Sequence, residues 1–432
     1  MEASYIIIVL VLLGAMAATV PVFLCLFFTS VIGFLLFTDL PLLVLIQSLF
    51  RSMDNFALVV VLFFILCGNI MTSGSIVDKL IRFANVVVGW LPGGLAMAGI
   101  LACGLFGAIS GSTVATVVAI GGFMIPALID NKYDLRFSVG VMTTAPNLGV
   151  IIPPSIAMIL YSMISAVSLE GLFLTGFVPG ILIMAGMCAY SYVWAVRNPG
   201  FTQAPKPTWS EAWHAFREGF WSLMLPVIIF GGIFSGAFTA NEAAVVACVY
   251  ALIVELFIHR DMKFSTVKKV MVNSAITSAT LLIIVAGATC FGRYLTMEAI
   301  PSKISEAVVS SITQPWIFLL TINVLLLIIG MFMDIISATL ILGPIFLPML
   351  DSYGINAVHF GLLMTVNLAI GYCTPPLGVS LYITGALVNR NLLYVSRAVM
   401  PWLAIQIGVL LIMTYWPDAV LWLPRLMGWN VD

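Results

Sequence analysis

A chain of 432 residues that is 62% hydrophobic and 8% charged cannot cover a soluble globule with polar groups, and its apolar stretches repeatedly reach spanning length. Soluble enzymes and nucleic-acid binders are excluded, leaving an all-α polytopic membrane protein, while the net charge of −1 points to no particular partner. Seven scattered cysteines lack a CxxC and the three histidines, His214, His259 and His359, sit near charged or polar connectors, so neither a disulfide framework nor a transition-metal site is expected.

Residues 5–20 and 22–37 are apolar runs separated by Pro21. The first lacks a basic n-region and a clear cleavage site, which predicts a retained span rather than a signal peptide. Residues 56–71 predict a third span. From residue 75 to 90, Asp78, Lys79, Arg82 and Asn85 alternate with apolar positions, a pattern that suits an amphipathic helix at the interface. Residues 91–106 lead into the stretch around which the chain is organised.

That stretch, residues 107–154, opens GAISGSTVATVVAIGG and closes NLGVIIPP. A small-residue break, an apolar run, a short charged turn and a second apolar run ending in two prolines predict a hairpin inside the membrane. The pattern recurs without a gap 222 residues later. Gly121, Pro126, Leu128, Met142, Thr143, Gly149, Pro153 and Pro154 meet Gly343, Pro348, Leu350, Met364, Thr365, Gly371, Pro375 and Pro376, eight identities in 34 positions. The turn of the first copy, DNKYDLRF, carries Lys132 and Arg136, whereas DSYGINAVHF in the second has neither Lys nor Arg. Positive charge marks the cytoplasmic side, so the copies are expected to face opposite sides as an inverted repeat.

Between the copies, a span at 172–194 precedes a polar connector at 197–218, which is expected to join the halves. Spans at 221–238 and 243–258 lead to a second basic connector at 259–269. The second half has spans at 274–292 and 316–332, a polar segment through Gln314, a basic connector at 390–397 and a last span at 400–416. Trp416, Trp422 and Trp429 in the tail suit the headgroup region. The expected division is 1–92 and 197–315 as scaffold, 93–196 and 316–398 as two transport repeats, and 399–432 as a terminal span and tail.

Breaking a helix at membrane depth leaves backbone groups that cost several kcal/mol each unless protein, water or a ligand satisfies them. The first copy breaks at Ser110, Gly111, Ser112 and Thr113, and again at residues 147–155, where Pro153 and Pro154 free the carbonyls of residues 149–152. Free carbonyls with the hydroxyls of Ser112 and Ser337 form a hard-oxygen site for a small cation, and half-helix N-termini favour an anion's carboxylate. Sodium with an organic anion is the natural pair. Thr113, Asn147, Ser155, Asp334, Asn367 and Gly378 are the expected substrate contacts. Asp334 aligns with Ser112 and is the only ionisable residue from 316 to 350, so it is expected to face a polar cavity; capping the following helix is the alternative. Glu242 is read as an N-terminal helix carboxylate, and Arg293 as sitting at an interface and pairing locally with Glu298, with a substrate carboxylate as its alternative partner.

FFILCGNIM, GAISGSTVATVVAIG, LGVIIPPSIAMILY, GGIFSGAFTANEAAVVACVYA and GYCTPPLGVSLY together resemble the large membrane subunit of tripartite ATP-independent periplasmic (TRAP) transporters, over nearly the whole chain. The resemblance implies an elevator-type secondary transporter of a bacterial inner membrane, with two re-entrant hairpins and two broken helices in its mobile domain. It implies sodium-driven uptake of an organic acid such as sialic acid or a C4-dicarboxylate, delivered by a periplasmic binding protein. A small membrane subunit is expected as a separate chain. Carried over by the resemblance, one sodium site falls on Ser110, Gly149, Ile152 and Pro154, and the repeat places the other near Gly330, Gly371, Thr374 and Pro376.

Rival readings are weaker or remain open. An intramembrane hydrolase would need a base beside Ser112 or a second carboxylate beside Asp334, and the predicted spans supply neither. No GxxxxGK[ST] loop supports ATP-driven transport. A stand-alone sodium/organic-anion symporter and a channel stay open.

Overall fold

The structure, a computed structural model, describes residues 2–18, 20–38, 41–198, 200–429 and 431, and these form helices without a strand. Nine of the helices among the described residues are long and apolar enough to cross a membrane. The helices α1 (Glu2–Ala17) and α2 (Val22–Phe37) flank Pro21, and α3 (Leu43–Met53) and α4 (Ala57–Ser73) follow. The helix α3 was not foreseen, because its short amphipathic run is no longer than a connector. The amphipathic helix is present as α5 (Ile76–Val88); it turns Ile76, Val77, Leu80, Ile81 and Ala84 inward and leaves Asp78 and Arg82 exposed. It packs on α6 (Gly94–Ser110).

Next come α7 (Thr113–Thr116), a π-helical turn (Val117–Gly121) and α8 (Gly122–Asp130), one rod in three parts. Asp134 then caps α9 (Leu135–Thr144) by accepting from Phe137 N at 2.9 Å, and a 3₁₀ turn (Ala145–Asn147) joins α9 to α10 (Leu148–Ile151). The helix α11 (Ile156–Ser165) lies beyond a break, and α12 (Leu169–Arg197) beyond a turn.

The connector expected at 197–218 is shorter, because α13 (Trp209–Phe234) already begins within it. Thr208 and Glu211 form a capping box, each satisfying the other's backbone N–H, which starts the helix. Thr239 and Glu242 build the same box for α14 (Ala240–Ile253), which ends in a π-helical turn (Val254–His259). The helix α15 (Phe264–Met297) likewise begins inside its predicted connector. The polar segment before Gln314 holds α16 (Ile300–Ser311), whose inward residues are too few to read as a span. The second half continues with α17 (Pro315–Phe332), α18 (Ile335–Tyr353), α19 (Ala357–Gly371), α20 (Val379–Val388), α21 (Leu392–Tyr415) and α22 (Asp418–Leu426). His359, next to the polar turn as expected, is buried in the first turn of α19, which Asn356 caps three residues earlier, and its Nε2 lies 2.8 Å from the Met413 carbonyl.

Two features position the site. A Cβ at Gly99, midway along α6, would stand 3.1 Å from Met124 Cε in α8, so α6 and the α7–α8 rod lie antiparallel with their tip at residues 110–112. Phe318 stacks on Tyr353 with ring centroids 4.2 Å apart, so α17 and α18 form a second antiparallel pair whose tip is Met333 and Asp334. The turn between α8 and α9 lies at the C-terminal end of α12, where Thr202 N donates to Asn131 O, and Arg136 donates to Arg397 O there. The turn between α18 and α19 shares a 710 Å³ cavity with Ser168, at the N-terminal end of α12. A helix of 29 residues separates those ends by about 44 Å at 1.5 Å per residue.

Candidate functional site at two helix tips and two breaks

At the first tip, Ser110 ends α6 and Gly111 adopts φ +60°, a left-handed conformation open to glycine without strain. A Cβ at Gly111 would lie 2.8 Å from Pro154 O, so the tip rests against the break that follows α10. Ser112 is extended and caps α7, its Oγ accepting from Ala115 N at 3.3 Å, while its carbonyl accepts from Thr116 Oγ1 at 2.7 Å. Ser110 Oγ is 3.5 Å from the same Thr116 hydroxyl. Gly149 seats α10 in this corner: its Cβ would stand 2.6 Å from Thr116 Oγ1, and a Cβ on Gly107 would stand 2.4 Å from Gly149 Cα. Ser110, Ser112, Gly149 and Pro154 are therefore brought together. The Ile152 side chain points away, packing on Gly180 and Gly104, and Ser155 caps α11.

The second tip repeats this design with different residues. Asp334 caps α18, Oδ2 accepting from Ser337 N at 2.9 Å, as Ser112 caps α7. Asp334 is half-buried. A Cβ on Gly371 would lie 2.7 Å from Gly330 Cα, matching the glycine contact of the first half. The hydroxyl of Tyr372 accepts from Ile335 N at 3.0 Å and ties the break to the tip. Thr374 Oγ1 donates to Ile370 O at 2.9 Å, and Gly378 N donates to Thr374 O at 3.3 Å, so residues 370–378 form a compact knot. Pro376 and Leu377 are exposed, whereas residues 151–160 in the first half are all buried. Both Pro-Pro bonds, Pro153–Pro154 and Pro375–Pro376, are cis.

The two halves adjoin. Cys373 Sγ donates to Thr143 O at 3.2 Å and lies 3.4 Å from Asn147 Oδ1, placing the second break beside the first broken helix. Asn147 and Asn367 are fully buried; the Nδ2 of each is tied to the framework, while Asn367 Oδ1 has no hydrogen-bond partner. Asn147 Nδ2 donates to Gln406 Oε1 at 2.8 Å, and Gln406 Nε2 to Thr144 O at 2.9 Å. Asn367 Nδ2 donates to Asn323 Oδ1 at 2.8 Å, and Asn323 to Thr414 Oγ1 at 2.9 Å. Through Gln406 and Thr414, α21 braces both broken helices. The sequence reading missed Gln406, although a lone glutamine inside an apolar span was a visible signal.

Buried hydroxyls of Thr113, Ser337, Thr339, Ser380 and Thr384 have no hydrogen-bond partner in the protein. Thr113 and Ser337 lie in the first turns behind the two tips, and α20, which carries Ser380 and Thr384, packs on α7. Buried polar atoms are normally paired, so these five hydroxyls are free to meet water or a ligand, as are those of Thr29 in α2, Ser222 in α13 and Ser278 in α15. Ser380 and Thr384 were not singled out from the sequence, although their spacing of four puts them on one face of an otherwise apolar helix. Arg293 makes no ion pair with Glu298 among the described residues, because five residues along a helix do not share a face. It lines an open 370 Å³ cavity with Arg51 instead.

Hairpin tips that meet the breaks of interrupted helices, lined by hydroxyls and carbonyls, define a polytopic membrane transporter. The family model described as tripartite ATP-independent periplasmic transporter, DctM component, matches residues 7–419, and the chain belongs to that family. It is 37% identical to the C4-dicarboxylate TRAP transporter large permease protein DctM of Rhodobacter capsulatus, over 98% of this chain and all of that one. It is 31% identical to the sialic acid TRAP transporter permease protein SiaT of Haemophilus influenzae, over 88% of this chain and 62% of that one. The solved YdaH transporter of Alcanivorax borkumensis shares the fold with a TM-score of 0.66 at 15% identity, covering 87% of this chain and 88% of that one. The protein is thus an inner-membrane TRAP large permease, and its relatives are transporter permeases rather than enzymes.

Proposed function

We propose that this chain is the translocating subunit of a sodium-coupled, binding-protein-dependent uptake system for a small organic acid. The observation that carries the reading is the pairing of two capped tips with two breaks, each built from close-packed glycines, with unpartnered buried hydroxyls around them. Sodium is the cargo that suits such a site: hydroxyl and carbonyl oxygens are available, and no nitrogen ligand intrudes. One ion sits among Ser110, Ser112, Gly149 and Pro154, with the Ile152 carbonyl reaching it from the break. The other sits among Gly330, Ser337, Gly371, Thr374 and Pro376. The substrate carboxylate meets the N-terminal turns of α7 and α18 near Thr113 and Ser337, where helix dipoles favour negative charge.

Binding of sodium orders tips and breaks as one body, which then slides with its cargo against a scaffold of α1–α5 and α13–α15 in an elevator movement. The two copies run in opposite senses, in keeping with the opposite ends reached by their turns. A separate small membrane subunit completes the scaffold, and a periplasmic protein delivers the substrate. The higher identity to a C4-dicarboxylate permease than to a sialic acid permease favours a dicarboxylate.

Uptake of labelled succinate and sialic acid into proteoliposomes tests this, with the small subunit, the binding protein and an inward sodium gradient each present or withheld. Accumulation that needs all three supports the proposal. Accumulation without the binding protein favours a stand-alone symporter, and equilibration indifferent to sodium favours a channel.

A further inference from the structure

Three ionisable side chains converge where α4 gives way to α5, in a place that transport leaves unused. Glu255 is fully buried in the π-helical turn after α14. Its Oε1 accepts from the backbone N–H groups of Ser75 at 2.9 Å and Ile76 at 2.8 Å. Its Oε2 has no hydrogen-bond partner, and neither has Nε2 of His259. One ligand atom each from Glu255, His259 and Asp261 lies within 4.8 Å of the others.

The surroundings are built to hold this arrangement. Gly74 leaves room for the carboxylate, since a Cβ there would lie 2.1 Å from Glu255 Cδ. His259 Nδ1 is 3.3 Å from Ser75 Oγ; with the Nδ1 proton donated to that hydroxyl, Nε2 carries the lone pair. Lys79 is the nearby cation, and it engages Asp261 at 3.6 Å, leaving Glu255 Oε2 bare. A buried carboxylate oxygen without a partner is costly, and a cation within the cluster removes that cost.

We propose that Glu255 Oε2, His259 Nε2 and one Asp261 oxygen form a binding site for a divalent transition-metal ion of the zinc type. One imidazole with two carboxylates is a donor set such an ion accepts. Ligand atoms at about 2.1 Å from zinc stand roughly 3.4 Å apart in a tetrahedron, so the cluster closes by about 1 Å on binding. The ion ties the junction of α4 and α5 to the loop that enters α15, fixing the helix on which α6 and its tip are packed. Glu255, His259 and Asp261 fall within one short segment, but three such residues beside a basic connector do not specify a site, and the glycine and serine that shape it lie some 180 residues away.

The test uses the full chain purified in detergent, stripped with EDTA and titrated with Zn2+ by equilibrium dialysis, with thermal unfolding in parallel. One Zn2+ per chain is expected, with a rise in Tm. His259→Gln and Asp261→Asn weaken binding at least tenfold, and Lys79→Met, which frees Asp261, tightens it. Asp261 is exposed, so its variant keeps the question decidable where His259→Gln fails to fold. Absence of stoichiometric Zn2+, or an affinity unchanged in Asp261→Asn, overturns the site.

Discussion

At Gly149 a single methyl group decides whether tip and break can meet. Its Cβ would lie 2.6 Å from Thr116 Oγ1 and 3.1 Å from Ser112 O, and the backbone carbonyl has nowhere to go. Gly149→Ala is expected to push α10 off the tip while leaving the chain membrane-inserted. Binding constellations must be held to within about 0.5 Å, so sodium-driven uptake should fall at least about tenfold, with a raised half-saturating sodium concentration. Unchanged sodium dependence would remove Gly149 from the site. Asp334 admits a sharper separation of roles, because asparagine caps helices about as well as aspartate whereas alanine costs about 1 kcal/mol. Asp334→Asn should keep the Tm and lose uptake if the free carboxylate oxygen meets substrate; retained uptake with a lowered Tm only in Asp334→Ala would leave the residue a cap.

At the scale of elements, α21 carries more responsibility than its apolar composition suggests. Gln406→Leu takes the acceptor from Asn147 Nδ2 and a donor from the Thr144 carbonyl, both buried, at about 1–3 kcal/mol for each group. A lowered Tm and a loosened first broken helix are expected, read by thermal unfolding and by hydrogen exchange of α9 and α10. Exchange unchanged there would show that the brace is dispensable. Helices with strong local signals were legible in advance: the period of α5, the double prolines and the polar tips all lie where the residues implied. The start of α13 was also available, because T-x-x-E is a capping box, yet charge in that segment suggested a connector. What one-dimensional reading cannot supply is partnership. Asn147 and Asn367 are read as substrate contacts from their place at the breaks, and only the fold shows that Gln406 takes up the Nδ2 of Asn147 and that Asn323 takes up the Nδ2 of Asn367 but leaves its Oδ1 unpartnered. The unpartnered hydroxyls of Ser380 and Thr384 went unnoticed for the converse reason, since a hydroxyl in a helix ordinarily bonds its own backbone.

For the whole molecule, the essential problem is moving an anion through a bilayer that is electrically negative inside. Each elementary charge crossing 100 mV costs about 2.3 kcal/mol, so a dicarboxylate entering alone is opposed twice over. The tips and breaks contain no Lys, Arg or His and a single carboxylate, Asp334, which adds to the negative charge rather than offsetting it. Under the proposed sodium coupling, cotransported cations neutralise the load, and the two related half-sites would give them two places. The proposed elevator movement needs the halves to present their breaks from opposite sides, which requires the α8–α9 turn and the α18–α19 turn to stay on opposite faces of the membrane throughout. Six of the native cysteines are buried and Cys188 is partly so, which keeps background labelling low. Lys132→Cys should react with a membrane-impermeant maleimide only in inside-out vesicles, and Ser352→Cys only in right-side-out cells opened at the outer membrane. Both positions are exposed, so access is not limited by packing. Labelling of both from one face would make the copies parallel rather than inverted and would leave the elevator without its symmetry.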